Sequence, residues 1–299
     1  MRLLTFVSED GPRVGTFVAD GTIMAIRALV PGAPIDMLRV IEQFDALSEQ
    51  IADAASRARG GTDPSKAKLL APIPAPRRNV FCVGWNYSEH FQEGANMRAA
   101  SGAPGQQEIP EYPALFSKNP ATVTGPDSSV LFPAPHSEQL DWEVELAVVI
   151  GRPGRDIEEG DAMAHVFGYT CANDVSVRDV QRRHGGQWFK GKNFDTHLPM
   201  GPWIVTADEL DPAALRVQTR VNGTTKQESN TKFMVFKIPR LISEFSAGCR
   251  LQPGDIMITG TPEGVGFARK PPEFMKIGDV VEVEIEGIGV LRNRVQGRT

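Results

Sequence analysis

Several features that would assign this chain to a specialised class are missing from its sequence. Its three cysteines, Cys82, Cys171 and Cys249, are an odd number, and their spacing fits neither a disulfide framework nor a zinc site. Each lies among apolar residues, which predicts buried thiols in a reducing compartment. The formal net charge is -5 with no basic block, which argues against a nucleic-acid partner.

Long apolar runs are also missing. No stretch approaches the roughly 18 consecutive apolar residues that a membrane-spanning helix needs. The N-terminus turns acidic at Glu9 and Asp10 before any run long enough for a signal peptide. The sequence therefore predicts a soluble cytoplasmic protein without a membrane partner.

Three common catalytic motifs are incomplete or absent. Residues 186–193 have the glycine and lysine spacing of a P-loop, but Asn193 stands where that loop needs a metal-binding Ser or Thr. Gly264-Val265-Gly266 lacks the third glycine and the following helix of a dinucleotide fold. No Gly-x-Ser-x-Gly sequence occurs, so a serine hydrolase is not supported.

The composition is that of a folded globular protein with many turns. Hydrophobic residues make up 41% and charged residues 23% of 299 positions, which is close to the average for globular domains. This length allows one large domain or a large domain with a small one. The 29 glycines and 23 prolines favour short strands and tight turns over long helices. We therefore predict a mostly β fold of the α+β class.

The first part of the chain predicts a small α+β unit. Turn signals at residues 10–12 and 20–21 separate three short strands, and one amphipathic helix follows from Ile35 to Arg57. The proline-rich stretch Ala71–Pro76 excludes both helix and central strand. We place a small N-terminal domain at 1–70, a connector at 71–78 and a larger domain at 79–299. The three predicted strands are 2–8, 13–19 and 22–27.

Most of the larger part is predicted as strands separated by glycine and proline. Two helices are indicated, Val175–Arg183 after the capping residues Asn173-Asp174, and Pro239–Ser246. Gly94 to Glu111 is polar and lacks periodicity, which predicts a long loop. The strand candidates are Asn79–Val83, Ala114–Ser117, Glu143–Ile150, Leu215–Val221, Asp255–Thr259 and Val280–Ile285.

The clearest candidate for chemistry is the acidic segment at residues 141–150. Strand geometry places Asp141, Glu143 and Glu145 on one face. They could be a solvent-exposed edge, but apolar Ala147 and Val149 continue the same face and predict that it is partly buried. Buried carboxylates that repel each other are stabilised by a divalent cation, and magnesium or manganese suits oxygen ligands.

Two further residues complete this hypothesis. Asp174 is the best third carboxylate, although at the start of a predicted helix it could be only an N-cap. Lys192 would balance the charge of three carboxylates and one divalent cation, although a lysine in a loop is usually a solvated charge.

Two other segments carry polar side chains suited to catalysis or binding. His90 and Glu93 are three residues apart, so in a helix the carboxylate could orient the imidazole as a general base, or the two could be a surface pair. In the segment from Thr259 to Gly266, free backbone N–H groups and the Thr261 hydroxyl could hold a carboxylate, or the segment could be an ordinary loop.

Seven short motifs occur in order between roughly residues 78 and 290. They are GWNYSEHFQE, LFSKNP, DWEVELAVVIG, GYTCANDVSVRDVQ, KGKNFDTHLPMGP, VNGTTKQ and GDIMITGTPEGVG. Each motif is weak alone, but the ordered set is specific. The set resembles the fumarylacetoacetate hydrolase family, which includes acylpyruvate hydrolases, oxaloacetate decarboxylases and hydroxyheptadienedioate isomerases.

The resemblance implies a set of site residues. Glu143, Glu145 and Asp174 would be the ligands of a divalent ion, Mg²⁺ or Mn²⁺, with Ca²⁺ as a further candidate. The resemblance also implies a catalytic domain with a rolled mixed β-sheet, usually in a homodimer. Lys192, His90 and Glu93 would be catalytic, the last two on a lid, and Thr261, Gln227 and Tyr87 would contact substrate.

The same resemblance implies a reaction on a small keto acid. We hypothesise hydrolysis of a C–C bond in a 2,4-diketo acid through a stabilised enolate, with His90 activating water. Decarboxylation of an oxaloacetate-type acid and keto–enol isomerisation use the same machinery, and a non-catalytic binding protein is a further alternative. The sequence departs from the family pattern at Trp85, where many relatives have arginine or leucine, and in the long loop after Gly94. Both departures lie near the implied lid and bear on which substrate is bound.

Overall fold

The computed structural model describes residues 1–93 and 109–298. The predicted loop from Gly94 lies outside these residues as far as residue 108. Within the described ranges, no helix combines the length and the apolar character needed to cross a membrane.

Strands account for most of the regular structure. Between them lie short α-helices, of which α4 is described over residues 88–93. The other helices are Ile26–Leu29 (α1), Met37–Glu42 (α2), Phe44–Arg57 (α3), Arg178–Arg183 (α5), Phe189–Lys192 (α6) and Ile238–Ser246 (α7). The strands are Arg2–Ser8 (β1), Gly11–Phe17 (β2), Ile23–Ala25 (β3), Leu69–Leu70 (β4), Val80–Gly84 (β5), Ala114–Lys118 (β6), Val123–Thr124 (β7), Ser129–Leu131 (β8), Leu140–Asp141 (β9), Val144–Ile150 (β10), Val166–Asn173 (β11), Ser176–Val177 (β12), Leu198–Thr206 (β13), Arg216–Val221 (β14), Thr224–Asn230 (β15), Ile256–Ile258 (β16), Val280–Ile285 (β17) and Gly289–Gln296 (β18).

Two main sheets form the architecture. The central sheet has the order β3-β2-β1-β13-β11-β10-β16-β5-β6, with β4 beside β1 and β7 beside β13. Its β16–β5 and β13–β7 pairs are parallel and its other pairs are antiparallel, so the sheet is mixed. The second sheet has the order β15-β14-β17-β18-β8, and β9 pairs with β12. The predicted α+β class, dominated by strands, is confirmed.

Strand β10 lies in the middle of the central sheet and is buried on both faces. Its even-numbered residues, such as Val144 and Leu146, belong to a core that also contains Val283 of the second sheet and Leu241 of α7. Because successive side chains alternate, the odd-numbered residues point the other way. The strand is therefore shared by two cores.

The opposite core is built with the N-terminal part of the chain. Ala147 and Val149 of β10 share it with Leu3, Ile26 and Ile41. In the same region β1 pairs with β13, so the N-terminal strands extend the central sheet. Residues 71–76 form neither helix nor strand, as expected for a connector. The division into two domains stays a prediction.

The helix predicted over residues 35–57 is two helices. Asp36 caps α2 by accepting a hydrogen bond from the Arg39 backbone N–H at 3.0 Å, and the helical path breaks at Gln43, where φ is -111° and ψ is 9°. The break lets Phe44, the first residue of α3, pack edge to face on Phe167 with 4.9 Å between ring centroids. Tertiary packing here prevails over the helical periodicity.

The predicted helix over residues 175–183 is also shorter. Ser176 and Val177 are extended as β12, because they pair with Asp141 and Leu140 of β9, and α5 begins only at Arg178. Asp174 is therefore not a helix cap. The prediction for the thiols is wrong for Cys249, which is exposed in the turn after α7, whereas Cys82 and Cys171 are buried.

Candidate active site

Three carboxylates meet where β10 and β11 run side by side. Val144 pairs with Asn173, and the next residue, Asp174, donates its backbone N–H to the Glu143 carbonyl at 2.9 Å. Glu145 lies in β10, two residues after Glu143, and its side chain points to the same side. One oxygen atom from each of Glu143, Glu145 and Asp174 can lie within 4.8 Å of the others. The side chains that the sequence proposed as metal ligands are therefore brought together.

Two lysines lie against this carboxylate cluster. The Lys192 ammonium donates to Glu143 Oε2 and Asp174 Oδ2, each at 2.7 Å. It lies at the end of α6 and is 2% exposed, so it is not a solvated loop residue. Lys118 at the end of β6 is fully buried and donates to Asp174 Oδ1 at 2.7 Å and to the Val175 carbonyl at 3.1 Å. Both oxygens of Asp174 therefore have a cationic partner.

Arg178 provides the third cation. Its Nη2 lies 2.7 Å from Glu143 Oε1, and its Nε donates to Asp141 Oδ2 at 2.8 Å. Asp141 also accepts hydrogen bonds from the backbone N–H groups of Gly266 and Phe267. Arg178 thus joins Asp141 to Glu143, although the chain leaves β9 after Asp141 and resumes the ladder only at Val144.

The electrostatic surroundings of the two glutamates differ. Burial would raise the pKa of Glu143, but Lys192 and Arg178 outweigh it and lower this pKa to about 2. Burial, together with the charges of Asp174 and Glu143, raises the pKa of Glu145 well above its usual range. Glu145 makes no salt bridge to the described residues, and its Oε2 accepts a hydrogen bond from the Gly260 backbone N–H at 2.6 Å.

The charges of the cluster favour a cation beside Glu145. If all are ionised, the four carboxylates exceed the three cations by one negative charge. A divalent ion would reverse this to one positive charge, which suits the binding of an anionic substrate. The sequence-based balance counted a single ammonium group and was incomplete. The groups concerned are Asp141, Glu143, Glu145, Asp174, Lys118, Arg178 and Lys192.

The donor set fits a hard divalent metal ion. All three candidate ligands offer carboxylate oxygens, the ligand type that Mg²⁺, Mn²⁺ and Ca²⁺ prefer. Glu145, which lacks a cationic partner among the described residues, is the member that such an ion would stabilise most. Glu143, Glu145 and Asp174 are the residues that would hold it.

The predicted His90–Glu93 pair forms in α4. His90 Nδ1 lies 3.2 Å from Glu93 Oε2, and His90 is 7% exposed. Glu93 Oε1 also accepts the Gly264 backbone N–H at 3.1 Å, so one carboxylate joins α4 to the turn after β16. An ionised carboxylate only accepts hydrogen bonds, which makes Nδ1 the donor and leaves the Nε2 lone pair available as a proton acceptor.

The three residues predicted to contact substrate are buried in the same region. The Thr261 hydroxyl accepts a hydrogen bond from Gln227 Nε2 at 2.8 Å. Tyr87 packs in the core that contains Val144, and burial followed by the charge of Glu145 raises its pKa. Contact of Thr261, Gln227 and Tyr87 with substrate stays a prediction.

Reasoning from sequence did not select Lys118 and Arg178. One available signal was that Lys118 directly follows the predicted strand Ala114–Ser117. A lysine is seldom buried without an anionic partner, so a lysine at the end of a strand can indicate a buried carboxylate. Arg178 follows Asp174 by four residues, but its orientation depends on β12, which has too few residues to show a periodic pattern.

Comparison with known proteins gives consistent matches along the chain. Residues 79–296 match the family description "Fumarylacetoacetate (FAA) hydrolase C-terminal". The mitochondrial oxaloacetate tautomerase Fahd2a of Rattus norvegicus is 43% identical over 99% of this chain and 91% of its own length. Oxaloacetate tautomerase YisK of Bacillus subtilis is 39% identical over 94% of this chain and 95% of its own length. The maleylpyruvate hydrolase of Sphingobium sp. SYK-6, solved with manganese(II) and pyruvate, is 33% identical over the whole of both chains, with a TM-score of 0.79.

Proposed function

Because the chain belongs to the fumarylacetoacetate hydrolase family, we propose that this enzyme interconverts the keto and enol forms of a small 2-oxo acid, with oxaloacetate as the first candidate. The observation that carries the proposal is the buried cluster of Glu143, Glu145 and Asp174 beside the His90–Glu93 pair. Two relatives that align with nearly the whole chain are named oxaloacetate tautomerases, which favours this reaction over hydrolysis.

Under this proposal the carboxylate cluster binds Mg²⁺ or Mn²⁺. When bound, the ion supplies Lewis acidity that polarises the 2-keto group of the substrate and favours loss of a proton from the neighbouring carbon. Lys192 has three N–H donors and uses two of them on Glu143 and Asp174. Its third N–H stabilises the negative charge that develops on the former keto oxygen.

The proton transfer is assigned to His90. Its Nε2 takes a proton from C3 of the keto form, the electron pair of that C–H bond becomes the C2–C3 double bond, and the π pair of the keto group moves onto its oxygen. The His90 imidazolium then returns its proton, through water, to that oxygen, which gives the enol and neutral His90. The reverse sequence converts enol to keto. Glu93 holds the ring through Nδ1 and stabilises the imidazolium that forms at His90. No atom is gained or lost.

A second candidate is hydrolysis of a C–C bond in an acylpyruvate, and one observation favours it. The oriented imidazole of His90 can equally remove a proton from water, which would then attack a distal carbonyl. The Sphingobium relative is itself named a maleylpyruvate hydrolase. Decarboxylation of oxaloacetate is a third outcome, in which carbon dioxide leaves instead of a proton.

The test offers oxaloacetate and a panel of acylpyruvates to the purified protein with Mn²⁺. Proton NMR follows enol and keto forms, and parallel assays detect released acid and carbon dioxide. We expect faster enol–keto exchange with neither product, and loss of this acceleration in excess EDTA. Acid release from acylpyruvates without any effect on oxaloacetate exchange would instead establish the hydrolase.

Two variants, one at His90 and one at a control histidine, test the assignment of His90 as the base. His90→Asn should lower kcat for tautomerisation by roughly 10²- to 10⁴-fold, because proton transfer loses its acceptor, while Mn²⁺ affinity stays close to wild type. His184→Asn, at an exposed position, is the matched control and should leave both unchanged. Full activity of the His90 variant would exclude this role.

The homodimer implied by the resemblance stays a prediction that light scattering can test.

A further inference from the structure

Gln227 of β15 connects the second sheet to the carboxylate cluster. Its side chain is 1% exposed. Oε1 accepts hydrogen bonds from the Val144 backbone N–H at 3.1 Å and from the Thr219 hydroxyl at 2.8 Å. Nε2 donates to Thr261 Oγ1 at 2.8 Å and to the Pro262 carbonyl at 2.9 Å. Both N–H groups and both lone pairs of the amide are therefore used within the protein.

The partners of Gln227 are the backbone between two ligands and the turn beside them. Val144 separates Glu143 from Glu145, so a bond to its N–H fixes the part of β10 that carries both carboxylates. The turn at residues 260–262 provides the N–H that Glu145 accepts and the Thr261 hydroxyl. One amide thus holds the ligand strand and the turn at a fixed separation.

The backbone of β15 is shaped to direct this side chain inward. Thr219 pairs with Gln227 but Arg220 pairs with Thr225, so Lys226 is the extra residue of a β-bulge. Bulges bend a strand and redirect a side chain, often next to an active site. The Lys226 carbonyl in turn lies so close to Gly264 that an added Cβ would be 2.3 Å from it. Strand and turn are in direct backbone contact.

We propose that Gln227 is a positioning residue that sets the geometry of the metal ligands and of Thr261, and that it does not contact the substrate. This inference rests on the proposed function, since it assigns Gln227 a role in that same site. It differs from the role that resemblance gives Gln227, because an amide with four protein hydrogen bonds has no atom left for a ligand.

The experiment measures Mn²⁺ binding by calorimetry without substrate. Gln227→Met keeps the length of the side chain but removes all four hydrogen bonds, and it should weaken Mn²⁺ binding by about 10- to 100-fold, the usual effect of losing support for a metal ligand. Glu228→Ala, at an exposed neighbour on β15, is the control and should bind as wild type. If the Gln227 variant binds Mn²⁺ normally and only KM for the substrate rises, Gln227 is a substrate contact and the proposal is wrong.

A second, milder variant keeps the proposal testable if Gln227→Met does not fold. Thr219→Val removes one hydrogen bond to Gln227 from a residue that lies outside the cluster, and it should reduce Mn²⁺ affinity in the same direction but less. Normal Mn²⁺ binding by this variant together with a misfolded Gln227→Met would overturn the proposal.

The two proposals fail in different ways. Wild-type protein that binds Mn²⁺ but does not accelerate tautomerisation would refute the function and leave the positioning role in place if the variants weaken binding as expected. Wild-type protein that binds no Mn²⁺ would overturn the positioning role as stated.

Discussion

Glu145 of β10 and Glu143, just before that strand, lie two residues apart, yet their electrostatic surroundings are opposite. Lys192 and Arg178 keep Glu143 ionised, whereas Glu145 has no cationic partner among the described residues and a strongly raised pKa. The same substitution should therefore have different effects at the two positions.

We predict that Glu145→Gln changes the free energy of unfolding of metal-free protein by less than about 1 kcal/mol, because no described cation loses its anion and the Gly260 N–H keeps an oxygen acceptor. Glu143→Gln should cost about 3–5 kcal/mol, since two buried cations lose their anion. Urea unfolding in EDTA measures both. Equal losses would contradict the difference in cationic partners between the two glutamates.

The raised pKa of Glu145 determines the direction in which stability changes with pH. The native carboxyl binds its proton more tightly than the unfolded chain, whose pKa is near 4.5, so this contribution to stability is lost as pH rises from about 4.5 through the native pKa. A metal ion must displace the proton, and Mn²⁺ affinity should accordingly rise with pH over the same interval.

His197 should make stability depend on pH in the opposite direction. Burial lowers its pKa from 6.5 to about 3, even though its Nε2 donates to the Leu131 carbonyl at 2.8 Å. The unfolded chain takes up a proton below pH 6.5 and the native chain does not. This group's contribution is present above pH 6.5 and falls by about 1.4 kcal/mol per unit as pH drops toward 3.

Urea unfolding at pH 6.5 and pH 5 tests this dependence. The unfolding free energy of the wild type should fall by about 2 kcal/mol more than that of His197→Gln over this interval. His136→Gln, at an exposed position, should follow the wild type. Parallel profiles for wild type and the His197 variant would show that His197 is not the responsible group.

At the scale of elements, the turn after β16 demands glycine for two separate reasons. Gly260 has a φ of +95°, and an added Cβ would lie 2.7 Å from Asn86 Cβ. Its N–H also donates to Glu145. Gly278 has a similar φ of +98° but open space around it, which makes it a control for the backbone term alone.

Gly260→Ala should therefore destabilise the protein clearly more than Gly278→Ala, for which we expect about 1 kcal/mol. It should also weaken Mn²⁺ binding, because the turn must move away from Glu145, whereas Gly278→Ala should not. Thermal unfolding and calorimetric Mn²⁺ titration measure the two effects. Indistinguishable behaviour of the two variants would contradict the contact with Asn86.

The elements that sequence predicted well are those whose pattern is local. Two elements form close to the expected residues. They are β10, which has an acidic residue followed by an apolar run, and α7, which has proline in its first turn. The two-residue strand β12 and the interruption at Gln43 depend on partners far along the chain. No periodicity within these segments reports such contacts, so the helix predictions there were too long.

The candidate site shows the same limit. The alternation of side chains over residues 143–145 was enough to place Glu143 and Glu145 together, and the pairing of β10 with β11 brings Asp174 to them. Lys118, Arg178 and the partners of Asp141 come from separate elements and depend on side-chain orientation. The order of the motifs indicated the family, but the cations that balance the carboxylates could be identified only from the three-dimensional structure.

At the scale of the whole molecule, the N-terminal residues are structurally joined to the catalytic part. β1 pairs with β13, and the helices that follow pack on the face of β10 that contains Ala147 and Val149. Removing this layer would expose the apolar side of the ligand-bearing strand.

We predict that the full chain unfolds in a single cooperative transition rather than as two independent domains. Scanning calorimetry in EDTA should give equal calorimetric and van't Hoff enthalpies, because neither core is complete without β10. The outcome that would contradict this is two resolved transitions, one of them assignable to residues 1–70. Such a result would support the separate N-terminal domain that the sequence indicated.

The position of β10 between two cores also bears on heat tolerance. The strand that aligns the carboxylates contributes side chains to both hydrophobic cores. Loosening of the packing in either core on warming therefore disturbs the alignment of the carboxylates directly. Turnover should consequently persist up to the onset of melting and vanish with it. A thermostable form of this enzyme would accordingly be sought by reinforcing the two cores that β10 joins.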